Sequence, residues 1–282
     1  MIHSWQHLPE KLNPTAFHLG PVAVNWYGIM YVLAFALVYF LVRYRIRTEK
    51  AGISLEVVRD FFPWGILGLL LGARLGDVFI YDWKYFSTHP LQTFLPLDPG
   101  NHWQYIGISG MSYFGGLVGL GLAFAIFSIL RLSLSEKRNS FGKILDFSDL
   151  FAPAVPLGFA FGRLGNFING ELYGRITNKS WGMYFSADLS GQLRHPSQLY
   201  EMFLEGMLLF IILWNIRKIK FPVGYLTAFY LIGYGLARFV SEFFREPDKI
   251  FFGNITIGQI FSILVIIIGL AIIIWQRKNY GN

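Results

Sequence analysis

The chain has 282 residues, of which 54% are hydrophobic, 18% aromatic and only 15% charged, with no cysteine and a formal net charge of +7. Soluble domains carry about 25% charge, so this composition excludes an ordinary soluble enzyme. The absence of cysteine excludes disulfides, cysteine nucleophiles and thiolate metal sites. The positive balance reads as a membrane-topology signal with some attraction to anionic lipid, and no nucleic-acid partner is expected.

In chain order, residues 1–20 contain Pro, Glu, Lys and Asn rather than a basic start and an apolar centre, so no cleavable signal peptide is expected. They read as a short external arm of the interfacial kind. Seven apolar runs follow, at about 22–42, 60–81, 110–130, 147–165, 199–215, 222–241 and 257–275. Each is near the roughly 20 residues that cross a bilayer as a helix. Pro153 and Pro156 interrupt the fourth. Loop 82–109 is aromatic and proline-rich. Residues 175–197 form the longest external segment, with Trp181, Tyr184 and Phe185 among Gly, Ser and Asn, and predict a small cap of strands and turns. The expected fold is an all-α polytopic membrane protein of about seven transmembrane helices, with 1–282 a single membrane domain. Glycines four apart, at Gly68, Gly72 and Gly76, at Gly115 and Gly119, and at Gly158 and Gly162, predict close helix packing.

The basic residues orient the chain. Arg43, Arg45, Arg47, Lys50 and Arg59 follow the first run, and Arg131, Lys137, Arg138 and Lys143 the third. Arg217, Lys218 and Lys220 follow the fifth, and Arg277 and Lys278 the seventh. The opposite loops hold Lys11, Lys84, Lys179, Arg194 and Lys249. The positive-inside rule then places the N-terminus outside and the C-terminus in the cytoplasm. The histidines His3, His7, His18, His89, His102 and His195 have no metal-ligand spacing, and neither a metal nor an organic cofactor is expected.

Polar residues inside the runs carry the chemistry. Arg74 and Asp77 are three apart and share a helix face; Arg238, Glu242 and Arg245 line the outer end of the sixth run. Glu201 and Glu205 are four apart, and like charges so placed repel unless a cation lies between them. The densest stretch is Gly162-Arg163-Leu164-Gly165-Asn166-Phe167-Ile168-Asn169-Gly170-Glu171-Leu172-Tyr173-Gly174-Arg175. A charge at a membrane-helix centre costs roughly 2.5–3.5 kcal/mol, so keeping several together points to a charged ligand. Guanidinium groups bind phosphate in two-pronged fashion, which suits an anionic phospholipid. The competing reading is that the arginines pair with Glu171, Glu205 and Glu242 to tie helices together.

The stretch 162–175 resembles the signature of the prolipoprotein diacylglyceryl transferase family. Asn25-Trp26-Tyr27-Gly28, Gly72-Ala73-Arg74-Leu75-Gly76, Gly115-Gly116-Leu117-Val118-Gly119, Arg194-His195-Pro196-Ser197-Gln198-Leu199-Tyr200-Glu201 and Gly233 through Asp248 are similar to family segments in the same order, so the resemblance covers essentially the whole chain. It implies a multi-pass protein of the bacterial inner membrane with its active site toward the periplasmic side. It also implies transfer of the diacylglyceryl group of phosphatidylglycerol to the lipobox cysteine of a preprolipoprotein signal peptide. By position, Arg163 and Arg238 would hold the phosphate and stabilise the leaving group. Tyr27, Asn166, Asn169, Glu171, Gly174 and Tyr234 would line the pocket, Glu242 and Arg245 would shape it, and Arg74 and His195 join the substrate-binding set. Two positions depart from the family: its frequent histidines are Asn25 and Phe114 here. The second is the usual proposed base for the thiol proton. Three alternatives stand: another residue is the base, with His195, Tyr27, Tyr234 and Glu171 the nearest by motif; the arginine field lowers the thiol pKa unaided; or the chain is a divergent or non-catalytic lipid- or signal-peptide-binding paralogue. A transporter, the remaining class, would show paired inverted repeats, and none is seen.

Overall fold

The computed structural model describes residues 2–20, 22–49, 52–95, 97–98, 104–105, 112–132, 140–247, 250–252 and 255–280. Lys50, His102, Lys137, Arg138, Asp248 and Lys249, the start of the third run at 110–111, and the side chains of His3 and Phe114 lie outside the described residues.

The helices are α1 (Ile2–Gln6), α2 (Leu8–Lys11), α3 (Trp26–Glu49), α4 (Leu55–Gly76), α5 (Trp83–Phe86), α6 (Tyr113–Phe127), α7 (Ser140–Phe151), α8 (Val155–Ile168), α9 (Ser197–Glu201), α10 (Leu209–Ile216), α11 (Tyr225–Ser241) and α12 (Ile257–Tyr280). Among the described residues three two-stranded antiparallel pairs punctuate them: β1 (Thr15–Leu19) with β2 (Val22–Asn25), β3 (Leu97–Asp98) with β4 (Gln104–Tyr105), and β5 (Ile250–Phe252) with β6 (Ile255–Thr256). Each apolar run carries a helix. Among the described residues, four helical stretches are long and apolar enough to cross a membrane: Trp26–Glu49, Leu55–Phe79, Ser197–Ile216 and Ile257–Lys278. Phe141–Phe151 and Val155–Ile168 make a fifth if the pair is one span, bent by 56°. The bend has the cause read from the sequence. Pro153 sits in the break, and Pro156 occupies the first turn of α8, where its missing N–H leaves no helical bond unmade. The long helices turn apolar side chains outward, Val32 and Phe40 on α3 and Leu264, Ile267 and Ile268 on α12 among them. Such faces are stable only against lipid or protein, and the chain is a multi-pass membrane protein.

The chain divides into two compact units, Met1–Ala51 with Leu145–Asn282, and Gly52–Ile144. In the second unit α4 and α6 meet through their glycines. A Cβ on Gly72 would lie 2.6 Å from Gly119 Cα, and one on Gly76 would lie 2.7 Å from Gly115 Cα. The four-residue spacing is therefore backbone-on-backbone packing. The third glycine pair divides: Gly158 packs on Val38, whereas Gly162 faces open space.

In the first unit the break after α7 is held from two directions. Arg45 of α3 is buried, and its Nη1 donates to the Asp149 and Leu150 carbonyls at 2.7 and 2.6 Å. These carbonyls lie at a helix end, where no intrahelical donor remains. The Asp149 carboxylate accepts from the Gly224 and Thr227 N–H groups at 2.6 and 2.7 Å, filling the free donors at the start of α11. Glu49 joins Arg45 and Arg217 at 2.8 and 2.7 Å, tying the end of α3 to the end of α10. Residues 1–20 are more structured than a lone interfacial helix, because α1 and α2 lead into β1. Trp5 Nε1 donates to the Trp181 carbonyl and Tyr184 N to the Gln6 carbonyl, so the arm is fastened to the cap.

Candidate active site

The site is built around one span. After α9 the backbone widens into a π-helical stretch over Met202–Leu208 before α10 resumes. Such widenings recur at functional sites because they re-aim side chains within a helix. Gly206 lets this stretch lie directly on α8, since a Cβ there would come within 2.6 Å of Ala160 Cβ. The approach presents Glu201 and Glu205, both 0% exposed, to the face of α8 that carries Arg163.

Glu201 collects three arginines from three segments. Arg163 Nε lies 2.6 Å from its Oε2, while Arg238 Nη1 and Arg245 Nη1 lie 3.4 and 3.3 Å from its Oε1. Arg238 also reaches Glu242 at 2.9 Å and Glu205 at 4.0 Å. The Thr256 hydroxyl donates to Glu242 Oε1 at 2.9 Å. Three guanidinium groups thus face three carboxylates, all largely buried, and this mutual pairing is how buried charge is tolerated. The cation demanded by the Glu201–Glu205 spacing is supplied from α8 and α11.

A second chain of contacts leaves Arg163 along the signature. Arg163 Nη1 donates to Asn166 Oδ1 at 3.2 Å, and Asn166 Nδ2 to Glu171 Oε1 at 2.9 Å. Tyr27 lies against Gly165 and beside Asn166, its hydroxyl donating to Tyr31 at 3.0 Å. Arg163 also lies over the Phe159 ring at 4.8 Å, and Phe159 meets Tyr234 edge-on. Asn169 caps α8, and its Oδ1 is buried with no hydrogen bond among the described residues. The backbone then turns through Gly170 at φ 70° and Leu172 at φ 57°. Leu172 is the one non-glycine residue with positive φ among the described residues. Such strain costs about 1–3 kcal/mol and concentrates at functional sites. Here Ser197 Oγ clamps the Leu172 carbonyl at 3.0 Å.

Gly174 marks the seam between the signature, the cap and the end of α11. Gly174 N donates to the His195 carbonyl at 2.8 Å and Arg175 N to the Phe244 carbonyl at 2.9 Å. A Cβ on Gly174 would lie 2.8 Å from His195 Cβ and collide with the Phe244 carbonyl. Residues 175–197 form turns and isolated bridges, Ile176 and Met183 each pairing with Arg194. The Arg194 side chain holds Asp188 at 2.6 Å and Glu246 at 3.0 Å. The Arg194 hydrogen bonds hold the Asp188 carboxyl down at about 2, and Asp188 in turn raises the Arg194 pKa. His195 Nδ1 bonds the Tyr200 hydroxyl at 3.1 Å, fixing the cap to the first turn of α9. Burial, and then the charge of Lys179, lower the His195 pKa below its usual 6.5. The imidazole is therefore neutral at pH 7. Its contribution to stability is present above 6.5 and is lost as pH falls.

The structure thus gathers Arg163, Arg238, Glu242 and Arg245 around Glu201. It continues from Arg163 through Asn166 to Glu171 and Tyr27, and it sets Asn169, Gly174, Tyr234 and His195 along the edges. Arg74 belongs to the other compact unit. There it donates to the Thr93 and Gln92 carbonyls at 2.7 Å each, with Asp77 at 3.6 Å and the Phe86 ring beneath. Those contacts pin the turn Pro90–Thr93. Arg163 pairs with Glu201, and its link to Glu171 runs through Asn166. The centre of the cluster, Glu201, and its neighbour Glu205 stand outside the residues assigned from the sequence, although their paired spacing in an apolar run was the available signal.

The sequence matches the model of the family described as prolipoprotein diacylglyceryl transferase over residues 14–275. The chain is 46% identical to a protein of Chlorobaculum tepidum named phosphatidylglycerol–prolipoprotein diacylglyceryl transferase, over 99% of this chain and 94% of that one. It is 43% identical to a protein of the same name from Campylobacter lari and 39% identical to one from Helicobacter pylori, each over 99% of this chain and 98% of the relative.

Proposed function

Because the chain belongs to the prolipoprotein diacylglyceryl transferase family, we propose that it moves the diacylglyceryl group of phosphatidylglycerol onto the lipobox cysteine thiol of a preprolipoprotein. The observation that carries the site assignment is the convergence of Arg163, Arg238 and Arg245 on one buried carboxylate within and beside the signature. In the reaction the cysteine sulfur attacks the glyceryl carbon bonded to the phosphate oxygen. A C–S bond forms, the C–O bond breaks, and its electron pair stays on the oxygen of the departing glycerol phosphate. The thiol proton balances the charge that the phosphate gains in becoming a monoester. The phosphate moves from one negative charge toward two, so fixed guanidinium groups bind the transition state more strongly than the lipid. Glu201 keeps those groups oriented before the lipid arrives, and the same positive field favours the thiolate. Tyr27, Asn166, Asn169, Glu171 and Tyr234 shape the space for headgroup and glyceryl moiety, with Glu242 and Arg245 behind them. In this reading His195 positions the cap, and Arg74 belongs to the substrate-binding set by its match to the family segment alone.

Purified protein given phosphatidylglycerol and a lipobox peptide is expected to yield a thioether-linked diacylglyceryl peptide and glycerol phosphate. A peptide with Ser in place of the cysteine should stay unmodified. Binding of both substrates without any transfer would overturn the enzymatic assignment in favour of a binding protein.

We place the site toward the periplasmic side of the bacterial inner membrane, with seven spans, the N-terminus outside and the C-terminus in the cytoplasm. The fourteen basic residues after the odd-numbered spans, against five in the opposite loops, support this orientation. Reporter fusions after Arg47, Lys218 and the C-terminus should read cytoplasmic, and a fusion within 178–192 external. Reversed readings at both ends would remove the external site.

A further inference from the structure

We propose that Glu205 takes up one proton when the anionic lipid headgroup binds, so that the arginine–carboxylate cluster remains neutral. This rests on the reading that the phosphate meets Arg163 and Arg238. The cluster is balanced without a ligand, with Arg163, Arg238 and Arg245 against Glu201, Glu205 and Glu242. A phosphodiester adds one negative charge to a cluster of largely buried groups. An uncompensated charge there is expensive, and the usual outcome is neutralisation of one group by a proton.

The contacts decide which carboxylate accepts it. Glu201 is held by three guanidinium groups at 2.6–3.4 Å. Glu242 has Arg238 at 2.9 Å and the Thr256 hydroxyl at 2.9 Å. Glu205 is held more loosely: its ion pair with Arg238 is 4.0 Å long, the Ser241 hydroxyl lies beside it, and among the described residues no hydrogen bond of good geometry reaches either of its buried oxygens. The elements packed on the π-helical stretch are α8, α9, α10 and α11. They face Glu205 with Arg163 from α8, Glu201 from α9, and Arg238 and Ser241 from α11, with Tyr234 beside Arg238, while α10 carries no titratable side chain. The Ser241 hydroxyl donates to the Ala237 carbonyl at 3.0 Å. A phosphate drawing Arg238 toward itself removes the longest and weakest of these pairs first. Glu205 is then left beside Glu201, and protonation relieves that repulsion.

The test is calorimetric titration of the detergent-solubilised protein with short-chain phosphatidylglycerol at pH 6, 7 and 8, each in two buffers of different ionisation heat. Wild-type protein should take up about one proton per lipid at pH 8, and its affinity should fall by up to about tenfold per pH unit as pH rises. Glu205→Gln, which keeps the volume and removes the charge, should bind with no proton uptake and a flat pH profile. Its affinity at pH 8 should equal or exceed wild type. Zero uptake by wild type at all three pH values, or equal uptake by Glu205→Gln, would overturn the proposal. If the variant fails to accumulate, the wild-type proton count decides alone. Short-chain diacylglycerol, which lacks the phosphate, should drive no uptake. Equal binding of diacylglycerol and phosphatidylglycerol would count against the phosphate reading itself, separately from the role of Glu205.

Discussion

Arg163→Lys and Arg238→Lys should each lose about ten- to a hundredfold or more in turnover although the charge is kept. Lysine is a compact point charge and cannot reproduce the fork that grips two phosphate oxygens. Losing one charge-assisted contact is worth about 1.5–3 kcal/mol, which gives that range of rates. The structure sharpens the expectation. Arg163 uses Nε for Glu201 and Nη1 for Asn166, and Arg238 divides its two Nη groups between Glu201 and Glu242. One ammonium cannot serve two such partners and a phosphate at once. His195→Gln should stay within a few fold of wild type, because Gln keeps a donor and an acceptor for the Tyr200 contact. The comparison needs transfer rates normalised to membrane protein level. Near-normal turnover in both lysine variants, or an inactive His195→Gln at normal level, would move the chemistry from arginine electrostatics to imidazole proton transfer.

The sequence makes the scaffold legible because lipid imposes simple rules. Apolar length specifies where a helix crosses, Pro153 and Pro156 specify where one breaks, and glycines four apart specify where α4 and α6 touch. The signature 162–175 likewise announces its arginine and asparagines, since polar groups at that depth are costly. Geometry between distant segments is less legible. Glu201 and Glu205 appear as a repelling pair, but the arginines that relieve them come from α8, α11 and the turn after it, tens of residues away in the chain. The π-helical stretch is also hidden: no local pattern marks it, and its close approach to α8 shows only as the tertiary contact of Gly206 with Ala160. The positive φ of Leu172 is equally hidden, because a leucine there announces nothing and the Ser197 clamp that holds it lies 25 residues on.

Glu201→Gln should be the most damaging single-atom change in the chain. The carboxylate is fully buried and neutralises parts of three guanidinium groups at once. Gln can accept a hydrogen bond from one of them but leaves the cluster with a net positive charge and two arginines short of a partner. Removing one member of a buried ion pair costs about 3–5 kcal/mol, because the other charge stays desolvated. In detergent this should lower the melting temperature by on the order of 10 °C. The arginines would also lose the orientation that readies them for phosphate, so transfer should fall further than the loss of folded protein explains. Glu201→Asp separates the two effects. It keeps the charge but withdraws it by one methylene from Arg163 Nε, so stability should largely recover while turnover stays reduced. Glu205→Gln gives the contrast within the same helix: it leaves the same net positive charge but breaks one ion pair of 4.0 Å rather than three shorter ones, so it should lose less stability than Glu201→Gln. If Glu201→Gln melted and turned over like wild type while Glu205→Gln collapsed, the centre of the cluster would lie at Glu205, and the arginines would be oriented by some other group.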